Sequence, residues 1–204
     1  MTSSGVAIWV KICGLTSHDA VEAAVAAGAD AIGFVFAPSK RQVTPEQATQ
    51  LAQSVPRHIA RFAVMLHPTQ SQFDEMWSAF RPDALQTDAD DLATLRVPAG
   101  LAVMPVVRAA GRASARHPRV LFEGPVSGVG TTSDWQTAAH LARTTQLVLA
   151  GGLNATNVAD AIAAVHPFGV DVSSGVEATP GVKDPTRIHE FVRRARAAAN
   201  GANR

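Results

Sequence analysis

The groups in this 204-residue sequence best suited to chemistry each stand just after a short apolar run. Cys13 closes Ile8-Trp9-Val10-Lys11-Ile12 and precedes Gly14. A thiolate there takes a proton from carbon if a cation or a helix terminus lowers its pKa, whereas the same residue also fits as a small buried hydrophobe. Lys11 is close by, but the sequence does not give the direction of its side chain. Glu123, followed by Gly124 and Pro125, is a carboxyl in a place that core packing does not explain. It is either the acid complementary to a thiolate base or a surface carboxylate. Arg41, after Ser39-Lys40, offers a guanidinium fork for a carboxylate, or is a solvated loop charge.

Two loops speak for an anion. Gly151-Gly152 allows close backbone approach, and Asn154 stands where a helix is expected to begin, so free N–H groups there are able to face negative charge. Ser173-Ser174-Gly175 adds two hydroxyls and another permissive backbone position. Either loop alone reads equally well as a tight turn; the two together read as a phosphate site and imply a phosphorylated small-molecule substrate.

These groups need a scaffold that gathers strand ends. Eight apolar runs, at 7–12, 31–36, 61–66, 84–87, 101–107, 119–123, 146–150 and 169–172, alternate with segments of helical periodicity. Several are unbroken aliphatic or β-branched stretches, as expected of parallel strands covered on both faces. Thr44-Pro45-Glu46-Gln47 and Asp184-Pro185 mark helix starts, and Ile188, Phe191 and Val192 have core-facing spacing. The Ala-rich stretches 20–27 and 155–165 read as outer helices. Between 109 and 118, Gly111 and Pro118 leave room for little more than a loop. Eight strand–helix units in a chain this short point to α/β architecture, a single (β/α)8 TIM barrel over 1–204, with a doubly wound open sheet as the alternative. In such a barrel the active site lies at the carboxyl ends of the strands, where the groups above stand.

Composition narrows the partners. With 18 Lys+Arg against 17 Asp+Glu the formal charge is +1, which provides no basic stripe for nucleic acid. No apolar run approaches the roughly 20 residues that cross a bilayer. One cysteine cannot form an intrachain disulfide, and the start of the chain does not read as a secretory signal, so the expected compartment is the cytoplasm. The seven histidines show no ligand spacing with cysteine or carboxylate, so no metal is expected. Trp9, Trp77 and Trp135 are expected to pack. Monomer and homodimer are both open.

Five segments then resemble a known family. They are Val10-Lys11-Ile12-Cys13-Gly14-Leu15, Gly33-Phe34-Val35-Phe36 with Ser39-Lys40-Arg41, Ser127-Gly128-Val129-Gly130 with Asp134-Trp135, Leu149-Ala150-Gly151-Gly152-Leu153, and Gly169-Val170-Asp171-Val172-Ser173-Ser174-Gly175-Val176-Glu177 with Pro180-Gly181 and Lys183-Asp184. In this order they are similar to the signature of the phosphoribosylanthranilate isomerases, barrel enzymes of tryptophan biosynthesis. The resemblance implies an Amadori rearrangement without an external cofactor: an acid opens the ribose ring to a Schiff base, and a cysteine removes the C2′ proton. It implies Cys13 as base and Glu123 as acid, with Arg41 on the substrate carboxylate. It further implies Gly151, Gly152, Ser173, Ser174 and Gly175 on the phosphate, and Asp171 among the substrate-binding residues.

The sequence departs from that signature twice. Glu123 stands where the family usually has aspartate, with Asp134 as a substitute acid, and Gln86-Thr87-Asp88-Ala89 stands where Gln-Leu-His-Gly is common. The first competing reading is the histidine-pathway isomerase that uses two aspartates, disfavoured by a cysteine after the first strand. The second is a non-catalytic barrel that binds a phosphorylated metabolite.

Overall fold

The structure, a computed structural model, describes residues 7–108, 117–124 and 133–201. Its elements follow the alternation of the sequence. They are β1 (Trp9–Cys13), α1 (His18–Ala26), β2 (Ala31–Val35), α2 (Pro45–Leu51), β3 (Ala60–Val64), α3 (Gln70–Phe80), β4 (Ala84–Asp88) and β5 (Ala102–Val107). After these come β6 (Arg119–Phe122), α4 (Trp135–Ala142), β7 (Gln146–Leu149), α5 (Val158–Val165), β8 (Gly169–Val172), β9 (Glu177–Thr179), β10 (Val182–Lys183) and α6 (Pro185–Gly201). Strands β1 to β8 pair in parallel in sequence order and close, β8 on β1, into a barrel, which excludes the open sheet.

Local chemistry starts the helices as expected. Thr44 Oγ1 accepts from the Gln47 N–H at 3.2 Å while Gln47 Oε1 accepts from the Thr44 N–H at 2.8 Å, a reciprocal capping box with Pro45 at the first helical position. Thr69 and Gln72 repeat the box on α3, a signal the sequence reading passed over. Asp184 Oδ1 accepts from the N–H groups of Thr186 and Arg187 at 2.8 and 3.2 Å and opens α6. Ile188, Phe191 and Val192 of α6 are buried, each contributing about 2 kcal/mol of apolar burial.

Two strand faces separate the apolar residues into two layers. One layer, including Val10, Ile12, Ile32, Phe34, Leu85, Phe122 and Val170, packs between the barrel and its helices. The other, including Ala31, Phe62, Ala84, Met104, Val106, Leu121 and Val148, fills the barrel itself. Because strand side chains alternate with period 2, the interior rows run on to fixed positions at the carboxyl end. Trp9 and Lys11 lead to Cys13, Gln86 to Asp88, Val106 to Arg108, Leu121 to Glu123, and Asp171 to Ser173.

Three features differ from expectation. The crossover between β4 and β5 is a single 3-10 turn, Asp91–Ala93, where a helix was expected; Pro98 and Gly100 leave no longer helical run before β5. Helix α5 begins at Val158 with Asn157 as its cap residue, so Asn154 belongs to a turn: its N–H donates to Asn157 Oδ1 at 2.8 Å. After β8 a 3-10 turn (Ser174–Val176) leads into the β9–β10 hairpin, which turns at Pro180-Gly181. Most of the 109–118 loop and the Ser127-Gly128-Val129-Gly130 segment lie outside the described residues.

Candidate active site

The interior row of β1 fixes the base. Register places Lys11 opposite Asp171 of β8, and the fully buried ammonium reaches Asp171 Oδ1 at 2.6 Å, a charged pair inside the barrel beneath Cys13. Cys13 is opposite Gly33 of β2. A Cβ on Gly33 would stand 3.1 Å from Cys13 Sγ and 3.2 Å from Lys11 Nζ, so the absent side chain makes the room in which thiol and ammonium meet. Burial pushes the Cys13 thiol above its ordinary pKa, while Lys11 and Lys183 draw it down and Asp171 adds to the rise. Cys13 is therefore a thiol at rest with two cations placed to receive a thiolate. Burial opposes the charge on Lys11, but Asp171 and Cys13 outweigh it and hold its pKa above the ordinary lysine value.

A second network ties the β2 loop to the segment after β8. Arg41 donates from Nε to Glu177 Oε1 at 2.6 Å and from Nη2 to Glu177 Oε2 at 3.0 Å. Lys183 donates to the same carboxylate at 2.9 Å and to the Ser173 carbonyl at 2.9 Å and hydroxyl at 3.2 Å. Burial raises the Glu177 pKa, but Arg41 and Lys183 overcome this and bring it down to about 2. Two of the three guanidinium nitrogens of Arg41 are thus committed to Glu177, and no described residue accepts a hydrogen bond from Nη1, the part left to meet a ligand.

The carboxyl end of the barrel holds a cavity of about 180 Å³. Cys13, Arg41, Glu123, Asp171 and Ser173 line it together with Gln86, Asp88 and Arg108. A wider depression of about 630 Å³ lies at the opposite end, around Ile8, Pro118, Gln146 and Phe168, away from every candidate group. Gly151, Gly152, Ser174 and Gly175 are not in the lining of the site cavity. Gly151 and Gly152 have φ of 87° and 63°, which glycine adopts without strain. The β7 and β8 loops are back to back: a Cβ on Gly175 would fall 1.9 Å from the Leu153 carbonyl oxygen. Among the described residues, none accepts a hydrogen bond from the backbone N–H of Gly151, Gly152, Ser174 or Gly175.

The substitute acid Asp134 is otherwise occupied. It caps α4, with Oδ1 accepting from the Gln136 and Thr137 N–H groups and Oδ2 from the Thr137 hydroxyl at 2.6 Å. Among the described residues no group of three or more His, Cys, Asp or Glu is placed to hold a metal ion, and no helix is long and apolar enough to cross a membrane. Sequence reasoning assigned no part to Arg108, Asp88, Glu177 or Lys183. Period 2 gave a signal for the first two, since both continue interior rows. The partnership of Glu177 with Arg41 joins residues far apart in the chain and leaves none.

Residues 10–194 match the family model described as N-(5′-phosphoribosyl)anthranilate (PRA) isomerase. The N-(5′-phosphoribosyl)anthranilate isomerase of Streptococcus pneumoniae (strain Taiwan19F-14) is 40% identical over 195 residues, 94% of this chain and 98% of that protein. The solved phosphoribosylanthranilate isomerase of Thermotoga maritima, described as monomers generated from a dimeric enzyme, superimposes with a TM-score of 0.79 at 32% identity, covering 93% of this chain and 99% of that one. A family structure in complex with reduced 1-(o-carboxyphenylamino)-1-deoxyribulose 5-phosphate gives a TM-score of 0.74 at 32% identity, with 93% and 99% covered. With a barrel in sequence order, a cysteine and a carboxyl at one cavity, and a match over nearly its whole length, the chain belongs to the N-(5′-phosphoribosyl)anthranilate isomerase family.

Proposed function

We propose that this chain, acting over 1–204 as one catalytic domain, isomerises N-(5′-phosphoribosyl)anthranilate to 1-(o-carboxyphenylamino)-1-deoxyribulose 5-phosphate in tryptophan biosynthesis, with Glu123 as acid and Cys13 as base. The supporting observation is the shared cavity, which brings together Glu123 just after β6, Cys13 at the end of β1 and Arg41 of the loop after β2. Glu123 gives a proton to the ribose ring oxygen as the C1′–O bond breaks, and the anthranilate nitrogen supplies the electrons of the new C=N bond. Cys13, having first released its own proton to solvent, takes as thiolate the proton from C2′, and those electrons form the C1′=C2′ bond of an enolamine as the C=N electrons return to nitrogen. The enolamine gains a proton at C1′ and loses the one on the C2′ oxygen to become the ketone. Redox balance is internal, so no cofactor enters.

Lys11 and Lys183 stabilise the thiolate, and Asp171 keeps Lys11 charged beneath it. Arg41 meets the anthranilate carboxylate through Nη1. Gly151, Gly152, Ser173, Ser174 and Gly175 bind the phosphate, which satisfies backbone donors that have no acceptor among the described residues. The enzyme works in the cytoplasm, as a monomer or a homodimer.

The acid is tested by following the fluorescence of freshly generated phosphoribosylanthranilate with Glu123→Gln. The amide N–H is far too weak an acid to give up its proton, so turnover is expected to fall by about 10²-fold or more with substrate still bound; an unchanged rate removes Glu123 from the mechanism. The phosphate cradle is tested by Gly175→Ala. Its methyl group meets the Leu153 backbone oxygen and drives the two loops apart, so KM is expected to rise by about tenfold and stability to fall by about 1–3 kcal/mol. Equal KM and unfolding midpoint would place the phosphate elsewhere.

A further inference from the structure

One more charged group stands at the mouth of the barrel. Arg108 reaches Asp88 Oδ2 through Nη1 at 2.6 Å and donates to Glu123 Oε1 through Nη2 at 2.9 Å. The three side chains are largely buried, exposed by 24%, 12% and 13% for Arg108, Asp88 and Glu123, and all line the cavity that holds Cys13. The same oxygen, Asp88 Oδ2, has His67 Nε2 at 3.6 Å, and the Nδ1 of that ring meets Asp91 Oδ1 at 2.9 Å. Burial works against the charge on Arg108, but Asp88 and Glu123 outweigh it and keep its pKa above the ordinary arginine value.

The two carboxylates are also where the sequence departs from the family signature, and the structure joins the two departures through one guanidinium. Glutamate carries one methylene and one rotatable bond more than aspartate, so a glutamate acid needs another contact to stay aimed. A planar guanidinium supplies that direction. A guanidinium given wholly to Glu123 would favour the carboxylate, the wrong form for an acid. With Asp88 on its other nitrogen the charge is shared, and the trio is neutral when it carries one proton.

We propose that Arg108 and Asp88 are positioning residues for Glu123, forming a fixed bridge that holds the longer acid toward the ring oxygen; this rests on Glu123 being the acid. The bridge spans the ends of β4, β5 and β6, three neighbouring strands, so the barrel itself fixes its span. Its expected mark is an effect on kcat with little on KM, because the bridge aims the acid and the substrate is held by other loops.

The test compares kcat and KM of Arg108→Met, Arg108→Lys and Asp88→Asn, and of Glu123→Asp in the native and the Arg108→Met backgrounds. Arg108→Met is expected to lower kcat by about tenfold or more with KM within about threefold, and Arg108→Lys to recover part of the loss. Asp88→Asn is expected to lower kcat in the same direction. Glu123→Asp is expected to cost about tenfold in the native protein, where the shorter arm leaves Arg108, and less than about threefold once Arg108 is already gone. Equal costs of Glu123→Asp in both backgrounds, or a native kcat in Arg108→Met, would overturn the bridge. If Arg108→Met does not fold, Arg108→Lys and Asp88→Asn decide by the same split between kcat and KM. An inactive Glu123→Gln beside an unimpaired Arg108→Met removes the bridge alone, whereas an active Glu123→Gln removes the acid and the bridge together.

Discussion

Cys13→Ser is expected to bind a non-reacting product analogue as the native protein does and to turn over substrate about 10²- to 10⁴-fold more slowly. The reason is the environment of the side chain. Cys13 is 6% exposed, and burial alone would keep any group there neutral. For a thiol, whose ordinary pKa is about 8.5, Lys11 and Lys183 offset part of that penalty, so the group rests neutral but its anion stays within reach. A serine hydroxyl starts far too high for the same two cations to ionise it, so the site keeps its shape and loses its base. Kinetics and analogue titration on the same preparation separate the two effects. An unchanged kcat would remove Cys13 from proton transfer, and a loss confined to analogue affinity would make it a packing residue.

Glu177→Gln is expected to cost about 2–4 kcal/mol of stability, read as a lower denaturation midpoint at unchanged slope. Glu177 is the acceptor shared by Arg41, Lys183 and the Gly181 N–H, and it joins the loop after β2 to the segment after β8. Replacing it leaves the buried Lys183 and the partly buried Arg41 without their counter-charge. An amide oxygen still accepts a hydrogen bond, which keeps the cost toward the lower side of that for a broken buried pair. The pH dependence follows from the pKa, which is about 2 in the fold against an ordinary 4.5. Because the folded value is the lower one, the stabilisation is fully present above pH 4.5 and is lost as pH falls toward 2. Native protein and variant should therefore differ most near neutral pH and converge in acid. A constant gap from pH 7 to pH 3 would show that the carboxylate charge is not what stabilises the fold.

Much of this molecule is legible in its sequence because barrel strands and helix caps are local. The run at 169–172 coincides with β8, and the other seven runs match their strands within two residues at each end. The Thr44–Gln47 box and the Asp184-Pro185 start are read from residues in one turn of chain. The positions of Cys13, Glu123, Arg41 and Ser173 around one cavity follow from the rule that strand ends gather. Lys11 was harder: in a strand covered on both faces, apolar neighbours on either side hide the alternation. Counting back two positions from Cys13 nonetheless puts Lys11 on the interior row, where it meets Asp171. Arg108 and Asp88 yield to the same count. The Glu177 network does not, because Arg41 and Glu177 belong to different loops and only closure of the barrel brings them together. The β9–β10 hairpin is too short for a periodicity to register.

The most direct test is turnover by the native protein itself, measured as loss of fluorescence from freshly generated N-(5′-phosphoribosyl)anthranilate with the deoxyribulose phosphate product identified at the end. Conversion without any added cofactor, at a kcat of about 1–10³ s⁻¹, is the expected result. Saturable binding of the substrate with no product formed would contradict it and would make this barrel a phosphometabolite-binding protein.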